Sequence, residues 1–297
     1  MAQQKQLNEL LKWSINKATE SEDAKPIPGE RPDLEKLDPN IIDAILGKSD
    51  AQLMMEAMQV IKNPQASDDE KELAWEDFEM LIQQIDNASN IDNMKMWPPL
   101  LEELKNPNPK FREQALWSCG TATQNNPKAQ AAFLREKGLS QVLEMLTSDP
   151  EKFVRAKAIY AVSGAVKHCD AAQLEFNNLG GYKILVKILE DETDISLLRK
   201  TIFFIGVLLL QDETASTQLL DQHFFHAVDR LLKHHMDDED LIEKTLVTLK
   251  TFFETATSPI HPQTLHMIRP RILEAKKAYG DHMLAKADWD VLETKTA

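Results

Sequence analysis

The residues best suited to chemistry are eight histidines and two cysteines. His223 and His226 are three residues apart, a spacing that could begin a metal site on a helix. No cysteine or carboxylate arrangement completes a tetrahedral set, so we interpret them as helix-surface residues and predict no metal. Cys119 and Cys169 lack any ligand spacing, and we interpret them as reduced structural thiols.

Catalytic motifs are also missing from the sequence. We find no Gly-rich phosphate loop, no Gly-x-Ser-x-Gly elbow and no helix motif with two zinc-binding histidines. The sequence therefore predicts a protein that is not an enzyme and that needs no cofactor.

Three arginines recur at nearly equal spacing near the starts of predicted long helices. They are Arg112, Arg155 and Arg199, and the last is followed by Lys200. Two interpretations are open. Each arginine can pair with an acidic residue of the adjacent repeat, or the set can form a ladder for acidic patches of a partner, which suits the planar guanidinium.

The elements that carry these arginines repeat with a period of 43 residues. Trp117, Tyr160 and Phe203 share one position of the repeat, and apolar or small residues share the others. These further sets are Leu116, Ile159 and Ile202; Gly120, Ser163 and Gly206; Phe133, Phe176 and Leu219; Leu139, Tyr182 and Phe225; and Leu146, Leu189 and Leu232. Such a period builds a helical solenoid in which each unit buries its apolar surface against its neighbours.

One period contains three predicted helices, at residues 139–147, 151–168 and 171–178. Three helices per period of this length are the armadillo pattern. Residues 202–210 are apolar all round. They could expose Phe203 or Phe204 to a partner, but the favoured prediction is a core helix covered on both sides. We therefore predict an all-α, armadillo-like solenoid with a flexible N-terminal segment, which offers a long binding surface instead of a deep cleft.

Composition divides the chain into four parts. Residues 21–48 are predicted to be a flexible, acidic linker because prolines are frequent and apolar side chains are few. Residues 1–20 precede it as a mobile apolar segment. Residues 49–258 form the solenoid, whose first unit is a divergent cap, and residues 259–297 form a C-terminal helix and tail. The last ten residues, 288–297, are expected to be loose.

The formal net charge of −14 excludes two classes of partner. Nucleic-acid backbones and anionic membranes both require clustered Lys and Arg, so we predict neither as a partner. No apolar run approaches the roughly 18 residues of a membrane span. We expect a cytoplasmic, monomeric protein that binds other proteins, with a nuclear pool left open.

Several segments together resemble one known family. They are residues 8–15 (NELLKWSI), 58–64 (MQVIKNP), 78–82 (FEMLI), 85–91 (IDNASNI) and 120–126 (GTATQNN). These segments are similar to the armadillo-type nucleotide exchange factors of the 70-kDa heat-shock chaperones. The resemblance spans roughly residues 5–260 and is strongest before residue 170.

The resemblance implies a function without covalent chemistry. Members of the family wrap their concave face around one lobe of the chaperone ATPase domain and force the nucleotide cleft open, so that ADP leaves. Their mobile N-terminus resembles a chaperone client and helps to release bound clients. In this chain the matching client-like residues are Leu10, Leu11, Trp13 and Ile15.

The resemblance also implies which residues contact the ATPase domain. Asn87, Ala88 and Asn90 fall after a predicted helix, where a small residue at position 88 would let the partner approach closely. Arg199 and Lys200 are favoured because the family places a basic residue there. The full implied contact set is Asn87, Ala88, Asn90, Arg112, Asn125, Asn126, Arg155, Arg199 and Lys200, with Asn125 and Asn126 expected to be helix-end residues first.

The alternative function is a generic armadillo adaptor for extended or basic peptides. Peptide-reading armadillo proteins use a ladder of Trp followed four residues later by Asn. Here Trp117 is followed by Thr121, and Phe203 is followed by Val207. The ladder is absent, so the sequence favours the exchange factor.

Overall fold

The computed structural model describes residues 47–297, and within this range the chain is α-helical without a β-strand. The client-like residues Leu10, Leu11, Trp13 and Ile15 and nearly all of the predicted linker lie outside the described residues. None of the described helices is long and apolar enough to cross a membrane. The helices are α1 (Asp50–Lys62), α2 (Asp68–Ile82), α3 (Ile85–Asn93), α4 (Trp97–Glu102), α5 (Pro109–Thr123), α6 (Pro127–Arg135), α7 (Gly138–Ser148), α8 (Lys152–Val166), α9 (Asp170–Asn178), α10 (Gly181–Asp191), α11 (Ile195–Gln211), α12 (Ala215–Asp221), α13 (Phe224–His234), α14 (Glu239–Thr255), α15 (Pro262–Tyr279) and α16 (Lys286–Lys295).

The chain divides into two compact units, Met1–Ala57 and Met58–Ala297. The described part of the first unit is short. It contains the beginning of α1, where Lys48 Nζ lies 2.7 Å from Glu56 Oε2. The second unit contains the repeats.

Four successive sets of three helices in the second unit follow the predicted period. They are α3–α5, α6–α8, α9–α11 and α12–α14. The last helix of each set is the long one, and it packs beside the long helix of the next set. We call α2, α5, α8, α11 and α14 the long-helix row. The predicted all-α repeat is thereby confirmed.

Glycines allow neighbouring long helices to approach closely. A Cβ atom on Gly164 of α8 would lie 2.7 Å from the carbonyl oxygen of Gly120 in α5. A Cβ atom on Gly206 of α11 would lie 2.9 Å from Thr248 Oγ1 in α14. Real side chains do not tolerate such distances, so the small residues of the repeat mark the points where helices touch. In α8 the contact is made by Gly164, one residue beyond the predicted position Ser163.

The turn between the first and second helices of a repeat requires a left-handed backbone. Lys137, Gly180 and His223 occupy the same repeat position, with φ of 57°, 73° and 62°. His223 is therefore a turn residue, and its ring meets the ring of His226 edge to face at 5.8 Å between centroids. Within residues 47–297 no group of three or more His, Cys, Asp or Glu side chains could hold a metal ion.

A buried ion pair connects α5 to the following repeat. Arg112 donates to Asp149 from Nε at 2.6 Å and from Nη2 at 3.0 Å, and its Nη1 donates to the carbonyl oxygen of Asn106 at 3.0 Å. The Arg112 and Asp149 side chains are only 12% and 2% exposed. The bidentate bond with Asp149 raises the pKa of Arg112 above its ordinary value. Such paired, charge-assisted bonds fix geometry as well as adding energy.

The same contact recurs in the next two repeats. Arg155 donates to Glu192 at 2.6 Å, and Arg199 donates to the two carboxylate oxygens of Asp238 at 2.8 and 2.7 Å. Burial alone would raise the pKa of Glu192 and of Asp238, but the arginines and nearby backbone N–H groups hold both below their ordinary values. The interpretation of the three arginines as pairing with the adjacent repeat is therefore confirmed.

The expectation of a loose C-terminus is wrong. Residues 286–295 form α16, in which Trp289 and Leu292 are fully buried. The indole Nε1 of Trp289 donates to the carbonyl oxygen of Gly280 at 2.9 Å. Burial of this large aromatic side chain against α14 and α15 offsets the entropy lost by ordering the terminus.

Replacing Gly164 by valine tests the close contact between α5 and α8. We expect Gly164→Val to lower the free energy of unfolding by about 1–3 kcal/mol, because the added atoms push against the Gly120 backbone. Ser163→Val carries the same β-branched side chain on the half-exposed neighbouring position and serves as the control. Urea denaturation of both variants provides the measurement, and equal losses would contradict the account.

Replacing Asp149 by asparagine tests the buried ion pair. We expect Asp149→Asn to lower the free energy of unfolding by about 3 kcal/mol, because the Arg112 charge stays buried without its counterion. The control is Glu72→Gln, which removes the partner of Lys110 in an exposed pair at 2.9 Å. Thermal and urea denaturation should show little change for the control. A similar loss in both variants would show that burial does not decide the strength of these pairs.

Candidate partner-binding face

Large apolar side chains are exposed along one side of the long-helix row. Phe203 is 54% exposed, Trp117 is 37% exposed, and Tyr160 at the same repeat position is half-buried. Leu210 on α11 and Val247 on α14 are exposed as well. We call Trp117, Tyr160, Phe203, Leu210 and Val247 the exposed apolar face. Exposed apolar groups grouped in this way mark interaction surfaces more often than single exposed residues do.

The prediction that residues 202–210 are covered on both sides is wrong. Phe203, Val207 and Leu210 form one stripe along α11 because they are spaced by three and four residues. Neighbouring helices bury the opposite stripe, which includes Phe204 and Leu208, and leave this one open. The available signal in the sequence was the alignment of Phe203 with Trp117 and Tyr160, two side chains that combine an apolar ring with a polar edge.

A cation lies over the first ring of the face. Lys157 Nζ is 4.0 Å from the centre of the Trp117 ring and 3.9 Å from Glu113 Oε1. Burial lowers the pKa of Lys157, and the charge of Lys200 lowers it further, while Glu113 and Glu79 act in the opposite direction. The centre of the face therefore combines aromatic surface with positive charge.

Two shallow clefts meet at Phe203. The first has a volume of about 220 Å³ and lies between α8 and α11, with Tyr160, Lys167 and Lys200 among its lining residues. The second has a volume of about 340 Å³ and lies between α11 and α14, with Leu210 and Val247 in its lining. Both clefts are mainly apolar. This arrangement is suited to binding apolar side chains.

The predicted contact residues of 85–91 do not form a connector after a helix. Asn87, Ala88 and Asn90 lie inside α3. Ala88 is 2% exposed, and buried Asn87 donates from Nδ2 to the carbonyl oxygen of Leu81 at 3.0 Å. Asn87 therefore supplies a hydrogen-bond donor to a backbone carbonyl oxygen at the C-terminal end of α2. Because Ala88 is buried, the prediction that a partner touches it directly is corrected. Asn90 is half-exposed and accepts a hydrogen bond from Asn93 at 3.0 Å.

Asn125 and Asn126 have the helix-end roles that the sequence indicated. Asn125 has a left-handed backbone with φ of 52° and an exposed side chain. Asn126 is 3% exposed and caps α6 by accepting from the N–H of Ala129 at 3.3 Å. It also donates to the carbonyl oxygen of Ile85 at 3.1 Å, which links two repeats. Only Asn125 of this pair is accessible to a partner.

The basic residues of the predicted contact set differ in accessibility. The side chains of Arg112 and Arg155 are 12% and 17% exposed and are used in ion pairs. Arg199 is 39% exposed and is paired with Asp238. Lys200 is exposed, and its Nζ makes one long contact, at 3.4 Å, with the carbonyl oxygen of Ala156. Contact of these residues with a chaperone stays a prediction, and Lys200 is the most available of them.

Cys119 does not reach this face. Both cysteines are free thiols, and Cys119 is completely buried in α5. Burial raises the pKa of the Cys119 thiol far above its ordinary value. A protonated, inaccessible thiol is not a nucleophile, so Cys119 is a packing residue.

Comparison with known proteins gives two family matches that together cover most of the chain. Residues 7–91 match the family described as nucleotide exchange factor Fes1, and residues 87–224 match the SIL1/FES1/HPBP1 C-terminal domain. The Hsp70 nucleotide exchange factor FES1 of Mycosarcoma maydis is 41% identical over 224 residues, which are 71% of this chain and 57% of that protein. The fes1 protein of Schizosaccharomyces pombe is 32% identical over 231 residues, which are 76% of this chain and 80% of that protein.

Solved structures agree on the fold. A designed armadillo repeat protein in complex with the peptide (KR)4 superposes with a TM-score of 0.65 at 12% identity, covering 82% of this chain and 99% of the designed one. At this identity the likeness shows the fold alone, and the fold is the predicted armadillo type. The sequence matches carry the relationship further: the chain belongs to the Fes1 family of nucleotide exchange factors.

Proposed function

We propose that this protein is a nucleotide exchange factor for a 70-kDa heat-shock chaperone. The observation that carries the proposal is the match of residues 7–91 and 87–224 to the two family models, together with relatives named as Hsp70 nucleotide exchange factors. Because the chain spans little more than half of the Mycosarcoma maydis relative, the activity is proposed for this chain and not transferred as established.

The proposed mechanism needs binding energy and no bond making. The exposed apolar face binds the ATPase domain when its nucleotide cleft is open more tightly than when it is closed around ADP. A coupling of about 3 kcal/mol would lower the affinity of the chaperone for ADP by on the order of a hundredfold. Bound ADP must then lower the affinity of the chaperone for this protein by the same factor. The long-helix row supports this role because its close glycine contacts and buried ion pairs resist deformation.

The peptide-adaptor alternative gains no support from the contacts on the face. The ladder position after Trp117 is Thr121, whose Oγ1 donates to Glu79 at 3.2 Å and lies 3.3 Å from the hydroxyl of Tyr160. A hydroxyl engaged with its own neighbours cannot replace the paired amide of an asparagine, which holds a peptide backbone from both sides. We therefore keep the exchange factor as the single proposed function.

The proposal includes the sites and the setting of action. The armadillo part binds the ATPase domain, and Leu10, Leu11, Trp13 and Ile15 occupy the peptide-binding domain in the manner of a client. Their support is the apolar cluster itself and the family match over residues 7–91. We propose that the protein acts as a monomer in the cytoplasm, without a cofactor and without catalysing a covalent reaction.

The first test is the rate of ADP release. Wild-type protein should accelerate the release of fluorescent ADP from the chaperone in stopped-flow measurements, and Phe203→Arg should require at least about tenfold more protein for the same rate. Leu174→Arg is the matched control, since Leu174 is 64% exposed but lies on α9, outside the long-helix row. No acceleration by wild-type protein would reject the function. Equal effects of the two variants would reject the exposed apolar face as the binding site for the chaperone.

The second test separates the N-terminal segment from the armadillo part. Changing Leu10, Leu11, Trp13 and Ile15 together to serine should leave ADP release unchanged and slow the displacement of a labelled client peptide several-fold, because the apolar side chains that compete for the peptide site are gone. Client displacement is followed by fluorescence anisotropy. The control variant changes Lys5, Lys12 and Lys17 to serine and leaves the apolar cluster intact. If the variant without the apolar cluster displaced the client peptide as fast as the wild type, the client-like role of the N-terminal segment would be rejected.

A further inference from the structure

Two lysines beside the cleft between α8 and α11 form no ion pair with the part of the chain that the structure describes. Lys167 is the C-cap residue that follows α8, Lys200 lies on α11, and both line the cleft. No carboxylate in residues 47–297 forms an ion pair with either one. Gln130 fixes the cleft edge, because its buried side chain donates to the carbonyl oxygens of Gly164 at 3.1 Å and Lys167 at 2.8 Å. The backbone that carries Lys167 is therefore held in place while its ammonium group stays available.

The lysines beside this cleft lie on a protein that is acidic overall. The chain has 48 acidic and 34 basic residues, and the arginines of the long-helix row are all paired. Lys157 lies close enough to Lys200 for the two positive charges to repel each other, and among residues 47–297 the carboxylates of Glu113, at 3.9 Å, and of Glu79 counteract this repulsion. A cluster of like charges is destabilising until an anion approaches it. No carboxylate of residues 47–297 pairs with Lys167 or Lys200, so an acidic segment of a partner would be attracted to this cluster.

The floor of the same cleft is apolar. Phe203 and half-buried Tyr160 form two of its walls, and Ile159 and Phe204 lie beneath them. Phosphate-rich partners such as nucleic acids do not present apolar side chains between their charges, and the net charge of −14 repels them. An acidic protein segment offers both an apolar side chain and flanking carboxylates.

We propose that this cleft receives an acidic segment of the chaperone ATPase domain, with one apolar side chain inserted between Tyr160 and Phe203 and its flanking carboxylates paired with Lys167 and Lys200. This inference rests on the proposed function and adds the chemistry of the partner. Charges at the rim of an interface chiefly set the association rate, its salt dependence and the choice of partner. Lys167 and Lys200 therefore determine specificity, while the aromatic walls supply most of the contact area.

The test compares two double variants with the same change in charge. Lys167→Glu with Lys200→Glu should weaken the affinity for the isolated ATPase domain at least about tenfold, because two attractions become repulsions. Added salt should weaken the binding of the wild type and relieve the repulsion in this variant, so the difference in affinity should narrow as the salt concentration rises. The control is Lys183→Glu with Lys187→Glu, which are exposed lysines on α10, outside the long-helix row. This control should bind as the wild type does.

A milder variant keeps the test decisive if charge reversal disturbs folding. Lys167→Gln with Lys200→Gln should weaken binding in the same direction by a smaller factor, with the helical circular dichroism spectrum and melting temperature unchanged. Wild-type affinity in both cleft variants would overturn the inference. So would sedimentation data showing that the two lysines are needed for self-association and not for chaperone binding, because the occupant would then be a second copy.

The outcome also distinguishes this inference from the proposed function. If wild-type protein fails to accelerate ADP release, the function itself is rejected. If wild-type protein accelerates release and the cleft variants accelerate it equally well at equal concentration, the function stands and the acidic segment is rejected.

Discussion

The close approach of neighbouring long helices is the constraint on which the rest of the structure depends. Gly164 of α8 lies against the backbone of Gly120 in α5, and Gly206 of α11 lies against Thr248 in α14. Helices this close leave little room for side chains between them, so apolar groups that do not fit the contact must point elsewhere. The result is a row whose buried stripe is tightly packed and whose outer stripe carries Trp117 and Phe203.

Polar contacts at the ends of the long helices complement this packing. Arg112 and Arg155 each reach a carboxylate of the following repeat and a carbonyl oxygen before their own helix. The same carboxylates accept backbone N–H bonds, as Asp149 does from Glu151 at 2.9 Å. One set of ion pairs therefore both begins helices and connects repeats. Because these arginines are used internally, the accessible positive charge of the row is left to lysines.

The fold was predictable from the sequence because its signals are local and periodic. Apolar and small residues aligned at a period of 43, which indicated both the repeat and its helices. The site was harder to predict, because exposure depends on which helix face the neighbouring repeat covers. Ala88 was expected to contact a partner and is buried, while Phe203, for which burial was favoured over exposure, is half-exposed. The helix at the C-terminus was missed because Trp289 is buried by packing against α14 and α15, which the local sequence pattern does not show.

Site-specific photo-crosslinking tests most directly whether the exposed side of the long-helix row binds the chaperone. A photoreactive phenylalanine analogue placed at position 203 should crosslink to the ATPase domain, and the crosslink should diminish when ADP is added. The same analogue at position 174, on the exposed surface of α9, should give no crosslink. Crosslinking from position 174 and none from position 203 would contradict the account.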